Sequence, residues 1–225
     1  MSAADRQRER RPSDPTAKPE GLRERKKRAT RQLISDIATR LFTERGFEQV
    51  TIDDVAAAAN VSKMTVLNYF HRKEDLFFDR SDDAQDLVRE ALVNRGHRSP
   101  VAALRGLVHE LVEQRHPLVK MNARVAGFWK VVADSPALRA RTRELSEELE
   151  RDLSQMLAES VSAPADDPTA RLVAALLLGT WRVAFREALR RQRSSRAAVT
   201  GEVFLDLLDR GFAAASAAAR GSPYT

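Results

Sequence analysis

A helical repeat of apolar residues, cut into pieces by helix-breaking residues, restricts this chain more than any other feature. Leu33, Ile37 and Leu41 fall at i, i+4 and i+8, with Ile34, Ala38 and Phe42 beside them, so the two rows make one apolar stripe. Ile52, Val55, Ala56 and Ala59 make a second, and Phe77, Ala84, Leu87, Val88 and Ala91 a longer third. The interruptions are Gly46, Asn60, Gly96 with Pro100, His116-Pro117, Asp134-Ser135-Pro136, "SAPADDP" at 162–168 and "RSSR" at 193–196. No stretch alternates apolar and polar residues with period two, so strands are not expected. The reading is an all-α chain of about nine helices, over 23–45, 52–59, 63–69, 73–95, 100–114, 118–133, 136–161, 168–191 and 198–219. At 225 residues, 43% of them hydrophobic, it is long enough to bury a substantial core.

Charge is distributed unevenly. Residues 1–30 hold 10 Lys/Arg against 5 Asp/Glu, while the remaining residues hold 28 against 27, so nearly all of the net +6 lies at one end. A basic end of this kind suits a polyanion, nucleic acid first and an anionic membrane second; a solvated tail is the other reading. Residues 1–21 are polar and contain Pro12, Pro15, Pro19 and Gly21, which predicts a disordered basic arm. The absence of Cys excludes disulfides, thiolate metal sites and a Cys nucleophile. No apolar run approaches the roughly 18–20 residues that cross a bilayer. The charged N-terminus has no apolar segment behind it that would make a secretory signal. A cytoplasmic protein without a membrane partner is expected.

The first three helices carry the informative pattern. Helix one opens in the basic run Arg23, Arg25, Lys26, Lys27, Arg28, Arg31, and its apolar stripe starts only after Ala29, so the basic turns should project past the core. Thr51 is a good N-cap for helix two, with Asp53 and Asp54 in the first turn where the helix dipole favours acids. Asn60 tolerates the left-handed conformation a tight turn requires, and Ser62 can cap helix three. Two short helices joined by a few residues, the second capped by Ser, form the pattern of a helix-turn-helix.

Over about residues 29–78, "ATRQLISDIATRLFTERGFEQVTIDDVAAAANVSKMTVLNYFHRKEDLF" resembles the tetracycline-repressor (TetR) family of transcriptional regulators. Ala38, Leu41, Phe42, Gly46 and Phe47 match its first element. Thr51, Ile52, Val55 and Ala56 match the second, and Val61, Ser62, Thr65, Tyr69, Phe70, Lys73 and Leu76 the third. Two positions depart from it: Asn60 stands where the turn usually has Gly, and Leu67 where a Tyr often reaches DNA. The resemblance implies a DNA-binding domain over 22–72 and a ligand-binding and dimerisation domain over 73–225. In a helix-turn-helix the second helix enters the major groove, with its N-terminal residues nearest the bases. Lys63, Met64 and Thr65 are therefore the first candidates, with Leu67 and Asn68 one turn on. Lys63 can donate to guanine O6/N7, and Asn68 can read adenine or grip a phosphate. Family positions matching Thr51, Thr65, Tyr69 and Lys73 touch phosphates, and Arg28 and Ser62 join the DNA-facing set. Val61, Val66 and Phe70 should face the core. Met64 and Leu67 are apolar where base readout is expected, which points to methyl contact or DNA shape.

Residues 81–225 show no catalytic constellation and no nucleotide-binding or zinc motif. His97, His109 and His116 share no metal-ligand spacing, and neither metal nor cofactor is expected. In the family this part encloses a small-molecule pocket. The candidates are His109, Met121, Arg124, Val125, Phe128, Trp129, Trp181 and Phe185, an aromatic set with a few polar groups; plain core is the competing reading. Leu172, Ala175, Leu176, Gly179 and Val183 make a small-and-apolar stripe, as do Val203, Leu207, Gly211, Ala214, Ala215 and Ala218. In relatives the last two long helices form a homodimer interface. The expected function is a non-enzymatic regulator, a repressor that binds a pseudo-palindromic duplex operator as a dimer and leaves it on binding a partly apolar effector. Helix 73–95 is the expected lever. The alternatives are a regulator whose larger domain only dimerises or docks a protein, and an enzyme.

Overall fold

The computed structural model describes residues 21–79, 81–120, 122–192 and 197–225; of 81–83, 192 and 197–200 the backbone alone is described. Its helices are α1 (Leu22–Arg45), α2 (Ile52–Ala58), α3 (Lys63–Tyr69), α4 (Ser81–Val93), α5 (Pro100–Glu113), α6 (Ala123–Asp134), α7 (Pro136–Ser160), α8 (Pro168–Gln192) and α9 (Ala197–Ala218). Short 3-10 turns occupy Glu74–Leu76 and Pro117–Val119, and no strand occurs among the described residues. The arm expected over 1–21 lies, but for Gly21, outside the described residues.

Local chemistry sets most boundaries. The side chains of Ser62, Ser99, Asn122 and Ser135 each accept a hydrogen bond from the backbone N–H three residues on, and so start α3, α5, α6 and α7. Pro100 and Pro136 follow two of these caps at the first helical position, where a missing N–H costs nothing. Asn60 adopts φ 53°, and beside it Val61 N donates to Ala56 O at 3.0 Å and Asn60 N to Ala57 O at 3.2 Å. This paired closure ends α2 with Asn in the left-handed place that Gly usually takes.

Two expected helices are broken. The span 73–95 divides into the 3-10 turn at Glu74–Leu76 and α4, with Phe77 to Asp79 between them outside any helix. Tertiary packing overrides the periodicity here. The Phe77 ring stacks on Phe128 at 4.1 Å and tilts against Phe42 at 5.8 Å, while Asp79 is paired with Arg31 of α1. The span 118–133 divides at Asn122, whose Oδ1 accepts from Val125 N at 3.0 Å and begins α6 afresh.

Apolar residues gather in two clusters. The first joins α1, α2 and α3 through Ile34, Phe42, Val55, Val66 and Phe70, and takes in Leu76, Phe77, Val132 of α6 and Leu138 of α7. The second joins α4, α5, α8, α9 and the far half of α7, with Leu104, Leu157, Val173, Phe204 and Tyr224 among its members. Helix α7 thus has one end in each. Leu138 and Leu153 are 15 residues apart, about 22 Å at 1.5 Å per residue, so a single rod ties the two cores together. Helix α4 places Leu87, Val88 and Leu92 against the second cluster. The covalent link after α3 is therefore not one continuous lever, and the rigid connection runs through α7.

Candidate nucleic-acid interface

Helix α3 presents two faces. Val66 is fully buried and Phe70 nearly so, as expected of the core-facing positions, and Val61 packs against the same cluster. On the other face Ser62, Lys63, Met64 and Asn68 are exposed, and Thr65, Leu67 and Tyr69 are half-buried. Tyr69 also packs against the first cluster, so its ring is shared between core and surface.

The polar candidates are held by local bonds. Thr51 and Asp54 form a capping box: Thr51 Oγ1 accepts from Asp54 N at 3.1 Å, and Thr51 N donates to Asp54 Oδ2 at 2.8 Å. The Thr51 hydroxyl also donates to Asp54 Oδ2 at 2.6 Å. That hydroxyl bond, then the backbone N–H, holds the Asp54 carboxyl below the usual carboxylate range. Ser62 Oγ accepts from Thr65 N at 3.0 Å and lies 2.8 Å from Thr65 Oγ1. Lys63 Nζ donates to Asp53 Oδ2 at 2.7 Å, an exposed pair that turns the ammonium back towards α2. Lys73 sits 4.2 Å from the centre of the Phe47 ring and 5.8 Å from that of Phe42. Burial lowers its pKa, and the nearby Glu48, Glu74 and Asp54 carboxylates oppose that shift.

Residues 22–29, with Arg28 among them, are exposed, so the basic turns of α1 extend beyond the first cluster as helix. Ser62→Ala is expected to destabilise the domain by about 1 kcal/mol, since it leaves the Thr65 N–H without its cap. Urea unfolding followed by circular dichroism measures this, and an unchanged midpoint would show that the cap contributes nothing.

Contacts between distant residues tie the end of α3 and the segment after it to the rest of the molecule, and these have no local sequence signal. Arg31 Nη1 donates to Tyr69 O at 3.2 Å, its guanidinium lies 4.8 Å from the Phe70 ring centre, and it pairs with Asp79. On α7, Arg141 meets Asp75 at 2.9 Å, Glu144 at 3.1 Å and Glu148 at 3.0 Å, and Glu144 also takes Arg72 at 2.8 Å. The segment just after α3 is therefore clamped to α7. Ser135 Oγ adds a bond to Glu48 Oε1 at 2.7 Å.

The pocket candidates do not converge on one void. Rings run in contact from Phe47 through Phe42, Phe77, Phe128 and Trp129 to Phe185, with successive centroids 4.1 to 5.8 Å apart. Phe128, Trp129 and Phe185 thus lie in an aromatic chain from the first three helices to α8. Trp181 instead packs on Phe204 of α9. His109 Nε2 lies 2.8 Å from Asp209 Oδ1, which also takes Arg105 at 2.7 Å. Val125 is half-buried, Arg124 is exposed, and Met121 lies outside the described residues. A surface cleft of about 350 Å³ opens where α4 and α7 end, bordered by Arg89, Leu92, Val93, Arg95, Met156 and Glu159, none of them a candidate. No group of three or more His, Asp or Glu is placed to hold a metal among the described residues, and no helix there is long and apolar enough to cross a membrane.

Of the stripes on the last two helices, part is used within the chain. Gly211 and Ala215 are buried, and Gly211 lies against Thr180 of α8. Leu172 and Val183 remain 47% and 56% exposed, and Ala214 and Ala218 also face outward.

Comparison with known proteins agrees with this architecture. Residues 34–79 match the family model of bacterial regulatory proteins, tetR family. Residues 98–216, more than half of the chain, match that of the MftR C-terminal domain. The HTH-type transcriptional regulator TcmR of Streptomyces glaucescens is 27% identical over 172 residues, covering 74% of this chain and 76% of TcmR. NalD, the secondary repressor of the MexAB-OprM multidrug efflux pump in Pseudomonas aeruginosa, shares the fold with a TM-score of 0.51 at 20% identity, over 83% of this chain and 97% of NalD. SmeT in its complex with triclosan does so with a TM-score of 0.53 at 18% identity, over 83% of this chain and 91% of SmeT. With a helix-turn-helix at its N-terminal end and a larger helical domain behind it, the chain belongs to the TetR family and is a transcriptional regulator, not an enzyme.

Proposed function

We propose that this regulator is a cytoplasmic repressor that binds a pseudo-palindromic operator as a homodimer and is released by a small molecule held in its C-terminal domain. The observation that carries the reading is the clamp between α7 and the segment after α3. The Arg141–Asp75 and Arg72–Glu144 pairs tie the segment that follows the reading helix to a rod whose other end lies in the second core. A shift of that core would move both reading helices of a dimer out of register with half-sites about one helical turn apart. An effector drives such a shift only by its difference in affinity for the two arrangements.

The outer faces of α8 and α9 support a second copy as partner. Leu172 and Val183 are large, apolar and exposed, with the half-buried Leu176 and Gly179 between them. We divide the chain into a DNA-binding part over 22–72 and a regulatory part over 73–225, with Leu76 and Phe77 packed into the first core as the seam. For effector contact we keep His109, Arg124, Val125, Phe128, Trp129, Trp181 and Phe185. A triclosan complex of SmeT, which shares the fold, supports an aromatic, partly apolar effector. An effector that pried Trp129 from Phe185 would loosen the aromatic chain leading to α1.

The packing of those rings against one another, not around a void, favours a second reading in which the C-terminal part only dimerises or docks a protein. Native mass spectrometry of the purified chain separates the two. Dimer mass with a co-purified small molecule is the expected result, and a persistently empty dimer supports the second reading. DNA binding itself is tested by gel shift with the duplex next to the protein's own gene. Binding no tighter than to random duplex at moderate salt would sink the operator reading.

A further inference from the structure

We propose that Met64 is a specificity-determining residue that reads the 5-methyl group of a thymine in each operator half-site. The proposal rests on the operator-binding reading above. Met64 is 64% exposed on the first turn of α3, two residues before a fully buried Val66. The polar groups beside it are engaged within the protein: Lys63 Nζ with Asp53, and the Thr65 hydroxyl with Ser62. Met64 thus projects as an apolar tip from the end of the helix that lies nearest the base edges. Leu67, three residues on, shares its face and is half-buried, so the two form a small apolar ledge on the reading surface.

The chemistry of the groove leaves one natural partner for that ledge. The same domain carries Arg23, Arg25, Lys26, Lys27 and Arg28 exposed on the α1 stem, which suits a polyanion. In the major groove the base edges offer hydrogen-bonding groups at every pair, but an apolar group only at the thymine C5-methyl. A thioether is flexible and polarisable and can settle against a methyl without a fixed hydrogen-bond geometry. Asn68, exposed one turn on, then supplies a polar contact beside it.

The test uses the duplex that the wild-type chain selects from a random pool, resynthesised with each thymine in turn replaced by uracil. Uracil keeps every hydrogen-bonding group and removes only the methyl. Wild type is expected to lose about three- to tenfold in affinity at one thymine per half-site. Met64→Ala and Met64→Gln should bind the thymine duplex more weakly and show no further loss at that uracil. The circular dichroism spectrum and melting temperature should match wild type, which verifies the fold of an exposed substitution. If no uracil weakens the wild type, or if both variants stay as sensitive as wild type at the same position, Met64 does not read a methyl. Leu67→Ala abolishing the sensitivity that the Met64 variants retain would move the role to Leu67 and overturn the assignment. Failure of the pool to yield any preferred duplex would instead count against the operator reading itself.

Discussion

Replacing Arg23, Arg25, Lys26, Lys27 and Arg28 together with Gln is expected to weaken binding to every duplex, operator and random alike, by roughly a hundredfold at low salt. These residues lie on two exposed helical turns that make no part of either core. Gln is as good a helix former as Lys or Arg, so the stem should stay helical and the melting temperature should hardly move. If two of the five bases in each protomer meet phosphates, a dimer forfeits about four contacts. The slope of log K against log salt then falls by about 3.6, at about 0.9 per phosphate. The ratio of operator to random affinity should survive, because phosphate contacts set position while base contacts carry sequence. A titration from roughly 50 to roughly 200 mM salt measures both quantities. An unchanged slope would show that the stem does not touch DNA.

The prediction depends on a boundary that the sequence made visible and on a position that it did not. Caps and turns were legible because they are local: Thr51, Asn60 and Ser62 each act within a few residues, and all three behave as their chemistry suggests. The core face of α3 was legible for the same reason, from the spacing of Val66 and Phe70. The break after Leu76 was not, because Phe77 is drawn out of helix by Phe42 and Phe128, 35 and 51 residues away in the chain. The Arg141 clamp was hidden likewise, since its partner Asp75 lies 66 residues off. Leu33 counted as stripe by periodicity yet is 51% exposed, because one helix face is wider than the surface available to cover it. For the candidate effector site, composition drew notice to the aromatics but not to their arrangement. Phe128, Trp129 and Phe185 meet one another, while Trp181 turns to Phe204.

The small-residue stripe of α9 illustrates the same limit, and from it comes the largest expected effect on stability. Ala in place of Gly inside a helix normally stabilises by about 0.8–1 kcal/mol, through helix propensity and reduced freedom of the unfolded chain. At Gly211 the sign should reverse. A Cβ there would overlap Cγ2, Oγ1 and Cβ of Thr180 on α8. Because Thr180 Cβ is itself in the overlap, turning its side chain gives no relief, and the Thr180 hydroxyl is already committed to Leu176 O at 2.7 Å. Helices α8 and α9 would have to part along the seam that carries Phe204, Leu208 and Phe212. Overpacking of this kind costs about 1–3 kcal/mol, which for a chain of this size lowers the melting temperature by roughly 3–10 °C. Gly127→Ala is the matched control, because no atom lies within 4 Å of a Cβ at that position in α6, and it should stabilise by about 0.5–1 kcal/mol. Thr180→Gly combined with Gly211→Ala removes the collision and should recover much of the loss, so the double variant should melt above the sum of the two single effects. Should Gly211→Ala melt as high as Gly127→Ala, the close approach of α8 and α9 would not exist in solution. The stripe would then be free for a partner, not spent within the chain.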